Sequence, residues 1–88
     1  MANGYRLASI HPGEFLREEF LAPLSMSPHQ LAVALRVPAT RINDIVNERR
    51  GITADTALRL SRYFGTTPMF WMNMRASWEL EIAEDKLR

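Results

Sequence analysis

Cysteine is absent from these 88 residues, which excludes disulfides, thiolate zinc sites, iron–sulfur clusters and cysteine nucleophiles together. The same absence suits a reducing cytoplasm. Histidine occurs only as His11 and His29. His11 and Glu14 have a metal-like spacing, but no second histidine is near and no helical metal motif follows, so His11 reads as a residue flanking a helix cap. Glycine numbers four and forms no phosphate-cradling loop. Ser9, Ser25, Ser27, Ser61 and Ser77 lack the context of a nucleophile elbow. Apolar runs are short, as in Met69-Phe70-Trp71-Met72, so no membrane span is expected. Met1 to Arg6 carry no apolar stretch of a secretory signal. The expectation is one cytoplasmic domain without catalysis, metal or cofactor.

Lysine is nearly missing too: ten of the eleven basic residues are arginine. Guanidinium forks suit bidentate contact with phosphate and guanine better than ammonium groups do. The net charge of +1 says little, but its distribution is uneven. Residues 36 to 62 hold six arginines against three carboxylates, a local balance of +3, while each flank is −1. A basic middle between mildly acidic flanks is expected where one face meets a polyanion.

Period and punctuation read as helix throughout. Ser27-Pro28 and Thr67-Pro68 each pair a capping residue with a proline that tolerates the first helical turn. His11-Pro12 is a looser version, and Ser27 with Gln30 forms a capping box. Five helices are predicted: Pro12 to Leu21, Ser27 to about Arg36, Ala39 to about Asn47, Thr53-capped to Phe64, and one from Pro68. Val37-Pro38 breaks the second from the third, and Gly65 closes the fourth. Residues 1 to 10 read as an N-terminal arm, residues 11 to 80 as the domain, and residues 81 to 88 as a frayed tail. The fold class is all-α.

Ser27 to Ile45 carries the functional signal. Two short helices flank a tight turn, and the small Ala32 lets the second cross closely over the first. That is the geometry of a helix-turn-helix, whose second helix enters the major groove. With Ile42, Ile45 and Val46 facing inward, Ala39, Thr40, Arg41, Asn43 and Asp44 point outward or flank the interface. Arg41 can fork onto guanine, Asn43 can bridge adenine, and Thr40 or Ala39 can touch a thymine methyl. Asp44 repels phosphate; it orients Arg41, accepts from cytosine, or selects against wrong sequences. Phosphate donors are expected on both sides: Ser27 and Gln30 at the start of the first motif helix, and Asn47, Arg49 and Arg50 after the second. The alternative for Arg49 and Arg50 is a solvated turn at a helix C-terminus.

The spacing of Ser27, Leu31, Ala32, Leu35, Val37, Pro38, Ile42 and Ile45 resembles the helix-turn-helix of the XRE (Cro/repressor-like) family. Four blocks narrow this: His11-Pro12-Gly13-Glu14, Arg41-Ile42-Asn43-Asp44-Ile45, Arg50-Gly51-Ile52-Thr53-Ala54-Asp55-Thr56-Ala57-Leu58-Arg59-Leu60, and Phe64-Gly65-Thr66-Thr67-Pro68 followed by Phe70-Trp71. Together they resemble the HigA-type antitoxins over about residues 10 to 80. The resemblance implies a λ-repressor-like fold, a homodimer, a palindromic operator in double-stranded DNA, and a HigB-type mRNA-cleaving toxin as protein partner. A solitary repressor without a toxin is the other function that fits. One departure stands in the turn, where the family usually has glycine and this chain has Arg36. A positive φ there costs on the order of 1 kcal/mol; either Arg36 compensates by reaching a phosphate or the turn is built differently.

A dimer doubles the base contacts and sets the half-sites about one helical turn, near 34 Å, apart. Phe70, Trp71, Met74 and Trp78 form the candidate dimer stripe on the last helix. Core is the default for Phe70, while Trp71 and Trp78 divide evenly between core and subunit contact.

Overall fold

Four of the five helices begin where a side chain accepts a backbone N–H that the helix itself leaves unpaired. In the computed structural model, which describes residues 10–88, α1 spans Pro12–Phe15 and continues as a π-helical turn over Leu16–Leu21. Its cap is His11, whose Nδ1 accepts the Gly13 N–H at 2.9 Å. The second helix, α2, spans Pro28–Leu35 and opens on the capping box: Ser27 Oγ accepts the Gln30 N–H at 3.0 Å, and Gln30 Oε1 accepts the Ser27 N–H at 2.8 Å. Next, α3 covers Ala39–Val46. Thr53 caps α4 (Ala54–Phe64), and Thr67 caps α5 (Pro68–Lys86). The predicted arm lies, apart from Ile10, outside the described residues. The polar end, expected to fray, is helical through Lys86.

Helix ends follow a second rule. Ser25, Arg36 and Glu48 all stand at positive φ, at 51°, 60° and 62°. Around each, the same pair of bonds closes the preceding helix. Met26 N–H reaches Leu21 O and Ser25 N–H reaches Ala22 O; Val37 reaches Ala32 and Arg36 reaches Val33; Arg49 reaches Asp44 and Glu48 reaches Ile45. This is the Schellman arrangement, which normally seats glycine at the left-handed position. Only α4 ends on glycine, at Gly65 with φ 77°. The turn containing Arg36 is therefore built in the usual way, with a side chain where none is favoured.

The core joins Leu16 and Leu21 of the first helix to Leu31, Ala32, Leu35, Ile42, Ile45, Val46, Ile52, Ala57, Leu60 and Trp71. Each leucine or isoleucine so buried contributes about 1.5–3 kcal/mol of transfer free energy. The π turn brings Leu16 and Leu21, five residues apart, onto one face, and Ala22 N–H bonds to Arg17 O at 3.0 Å. Gly13 lets α1 sit directly on α3, since a Cβ there would collide with the Ile45 carbonyl.

The candidate dimer stripe divides differently from the expectation. Trp71 is fully buried, with Nε1 donating to Thr66 Oγ1 at 2.8 Å, and Met74 is buried beside it. Within the protomer Trp71 packs against Phe15 and Phe20, and Phe20 in turn against Phe64. Trp78 is half-buried, edge-on to His11 at 5.4 Å. Phe70, expected in the core, is exposed at the cluster's rim, edge-on to Phe15.

Candidate nucleic-acid interface

Helix α3 turns Ile42, Ile45 and Val46 inward, all buried. Its opposite side presents Thr40 and Asn43 fully and Arg41 and Asp44 in part. Ala39 is half-buried against the core, so it flanks this face rather than standing out from it. Four of the five predicted base-reading side chains thus share one accessible surface on the second motif helix.

Its charges are matched within the protomer. Arg41 Nη1 lies 2.7 Å from Asp55 Oδ2, and Arg59 Nε lies 3.0 Å from the same oxygen. These two guanidiniums, Arg59 first, hold the Asp55 carboxyl below its usual range. Asp44 faces Arg49 at 3.2 Å and Arg50 at 3.4 Å. The suggestion that Asp44 orients Arg41 is therefore corrected: the Schellman turn after α3 folds Arg49 and Arg50 back over Asp44, and Asp55 takes the place beside Arg41. The two Asp44 pairs are solvent-accessible and individually weak, so Arg49 and Arg50 can exchange them for phosphate.

The predicted phosphate donors fall at both ends of the motif. Ser27 and Gln30 sit at the exposed start of α2; their backbone N–H groups are used by the capping box, which leaves the Ser27 hydroxyl O–H, the Gln30 amide NH₂ and the His29 N–H at that end. Asn47 donates its Nδ2–H to Asn43 O at 2.8 Å, closing α3. Arg49 and Arg50 extend beyond it, with side chains 63% and 47% exposed. Arg36 is exposed in the turn, and its guanidinium has no hydrogen-bond or ion-pair partner among the described residues.

Three further arginines escaped the sequence reading because their work is with backbone rather than with charge. Arg59 Nη1 donates to Leu35 O at 2.7 Å, at the end of α2. Arg17 Nη1 donates to Val46 O, at the end of α3. Arg75 Nη1 donates to Ile52 O at 3.1 Å, in the loop that follows. Each fills a carbonyl that a helix end or loop leaves open, and each also meets a carboxylate: Asp55, Glu18 and Glu48, and Glu79. The four-residue spacings of Asp55 with Arg59 and Arg75 with Glu79 were the readable signal. His11, at the far side of the turn, is buried; desolvation lowers its pKa, with Arg17 adding to this and Glu48 and Glu14 opposing it.

Comparison with known proteins places this geometry. Residues 16–71 match the family model described as Helix-turn-helix. Virulence-associated protein I of Dichelobacter nodosus is 58% identical over 78 residues, covering 89% of this chain and 72% of that protein. The antitoxin HigA of Pseudomonas aeruginosa, solved with the higBA promoter, is 52% identical with a TM-score of 0.87, covering 89% of this chain and 85% of that one. Antitoxin HigA-1 of Vibrio cholerae is 34% identical over 71 residues, covering 81% of this chain and 67% of that protein. With its turn, capping box and buried motif positions in the matched order, the chain belongs to the helix-turn-helix family, in the XRE branch that holds the HigA antitoxins.

Proposed function

We propose that this chain is the antitoxin of a type II toxin–antitoxin module: a sequence-specific repressor of its own promoter that also neutralises a HigB-type mRNA-cleaving toxin by protein contact. It acts as a cytoplasmic homodimer on a palindromic operator and catalyses no reaction. Thr40, Arg41, Asn43 and Asp44 read bases, with Ala39 at their edge; Ser27, Gln30, Arg36, Asn47, Arg49 and Arg50 meet phosphates. The observation that carries this reading is the outward face of α3, held by a buried underside and flanked by donors at both ends of the motif. The identity with a HigA antitoxin solved on promoter DNA supports it. Phe70 and Trp78, the stripe residues left partly accessible, remain available to a subunit contact.

An electrophoretic shift series on the promoter upstream of this gene, with and without the product of the adjacent gene, tests both halves. The expected result is a salt-sensitive shift whose mobility or affinity changes when the adjacent product is added. A shift that no neighbouring protein alters would leave a solitary repressor. No shift at any salt would overturn DNA recognition altogether.

A further inference from the structure

Asp55 belongs to neither helix of the motif, yet one of its oxygens joins the motif to the scaffold. Asp55 Oδ2 accepts from Arg41 Nη1 at 2.7 Å and from Arg59 Nε at 3.0 Å. Arg59 is held in turn by Leu35 O at 2.7 Å, the last residue of α2. The outcome is a chain of polar contacts running from the end of α2, through α4, to the first turn of α3. Among the described residues Asp55 is the sole hydrogen-bond partner of the Arg41 side chain. The Arg41 side chain is 29% exposed, against 63% for Arg49, whose side chain is tied only to Asp44, five residues earlier.

An arginine that reads guanine must present two N–H groups in one plane. Free in solvent, its long side chain samples many rotamers, and ordering it on contact opposes binding. A carboxylate fixed at one edge of the guanidinium removes that disorder beforehand and leaves the Nη2 and Nε donors for a base. A carboxylate also repels phosphate, which discourages Arg41 from settling on the backbone instead.

We propose that Asp55 is a positioning residue that sets base preference through Arg41, braced from behind by Arg59. It touches no base itself. The inference rests on the reading of Arg41 as a base-contacting side chain.

The test measures binding of the full-length protein to its promoter operator and to a set of operators each changed at one base pair. Wild type, Asp55→Asn, Arg41→Ala and the double variant are compared, with Asp55→Glu as the conservative replacement and a thermal melt to establish that each is folded. Asp55→Asn should lower discrimination roughly 3- to 10-fold, in the lower part of the range for coupling between contacting side chains, at the same base pair that Arg41→Ala relaxes. The double variant should match Arg41→Ala alone, and Asp55→Glu should recover part of the preference. If Arg41→Ala relaxes a position and Asp55→Asn leaves it intact, or if Asp55→Asn still alters preference when Arg41 is absent, the positioning role is overturned while Arg41 keeps its own. If Arg41→Ala relaxes no position, the underlying reading of Arg41 fails and the proposal falls with it.

Discussion

At the scale of single residues, the left-handed positions say most. Ser25, Arg36 and Glu48 each hold a conformation that costs a side chain on the order of 1 kcal/mol. The scarcity of glycine was plain in the sequence, but where a non-glycine residue would be forced to positive φ was visible only at Arg36, because only there did a familiar turn demand it. Ser25 and Glu48 sit in stretches whose closing bonds come from residues three and five positions back, which no local pattern announces. Arg36→Gly should raise the thermal midpoint by about 4–8 °C for a domain of this size. An unchanged or lower midpoint in a melt would mean the Arg36 side chain supplies compensating contacts in the free protein.

Among the elements, the helices themselves were largely legible: four starts carry a capping side chain, and three of those a proline in the first turn. The π turn was not, since over six residues its apolar spacing resembles that of an ordinary helix. The stripe on α5 misled for a related reason. Phe70, Trp71, Met74 and Trp78 cover a wide arc, and only the packing of Phe15, Phe20 and Phe64 decides which part faces in. The seating of α1 on α3 gives a sharp expectation. Gly13→Ala must push the Ile45 carbonyl away, and overpacking of this kind costs about 3 kcal/mol, so the midpoint should fall by more than about 10 °C. A variant melting like wild type would show that α1 can lift off the recognition helix freely.

The cap of α1 adds a dependence on pH. His11 must stay neutral at Nδ1 to accept the Gly13 N–H, and burial lowers its pKa below the ordinary value. Its stabilising contribution is therefore complete above about pH 6.5 and is lost as pH falls through the lower folded-state value. Melts recorded near pH 7.5 and about pH 5 should show a smaller loss for His11→Asn, which retains an acceptor and does not titrate in this range. Equal losses would remove His11 from the acid limb of stability.

For the molecule as a whole, charge distribution was the legible part and charge engagement was not. The middle of the sequence carries its excess of arginine as counted, but Arg59 is committed to a carbonyl, and Arg41, Arg49 and Arg50 already have carboxylate partners. Pairing across the fold depends on the first turn of α4 lying beside the first turn of α3, and spacing along the chain does not reveal that. Replacing Arg49 and Arg50 with alanine should flatten the dependence of log affinity on log salt by up to about two units if both reach phosphates. Titrations of operator binding at several salt concentrations measure this directly, and an unchanged slope would place both side chains outside the backbone contacts.

Those internal partners bear on how the protein finds its target. Arg49 or Arg50, on turning toward stray duplex, abandons Asp44, which is then left beside a polyanion. Chance encounters along the chromosome are thereby kept brief, and long residence is reserved for a sequence whose bases compensate for the broken pairs.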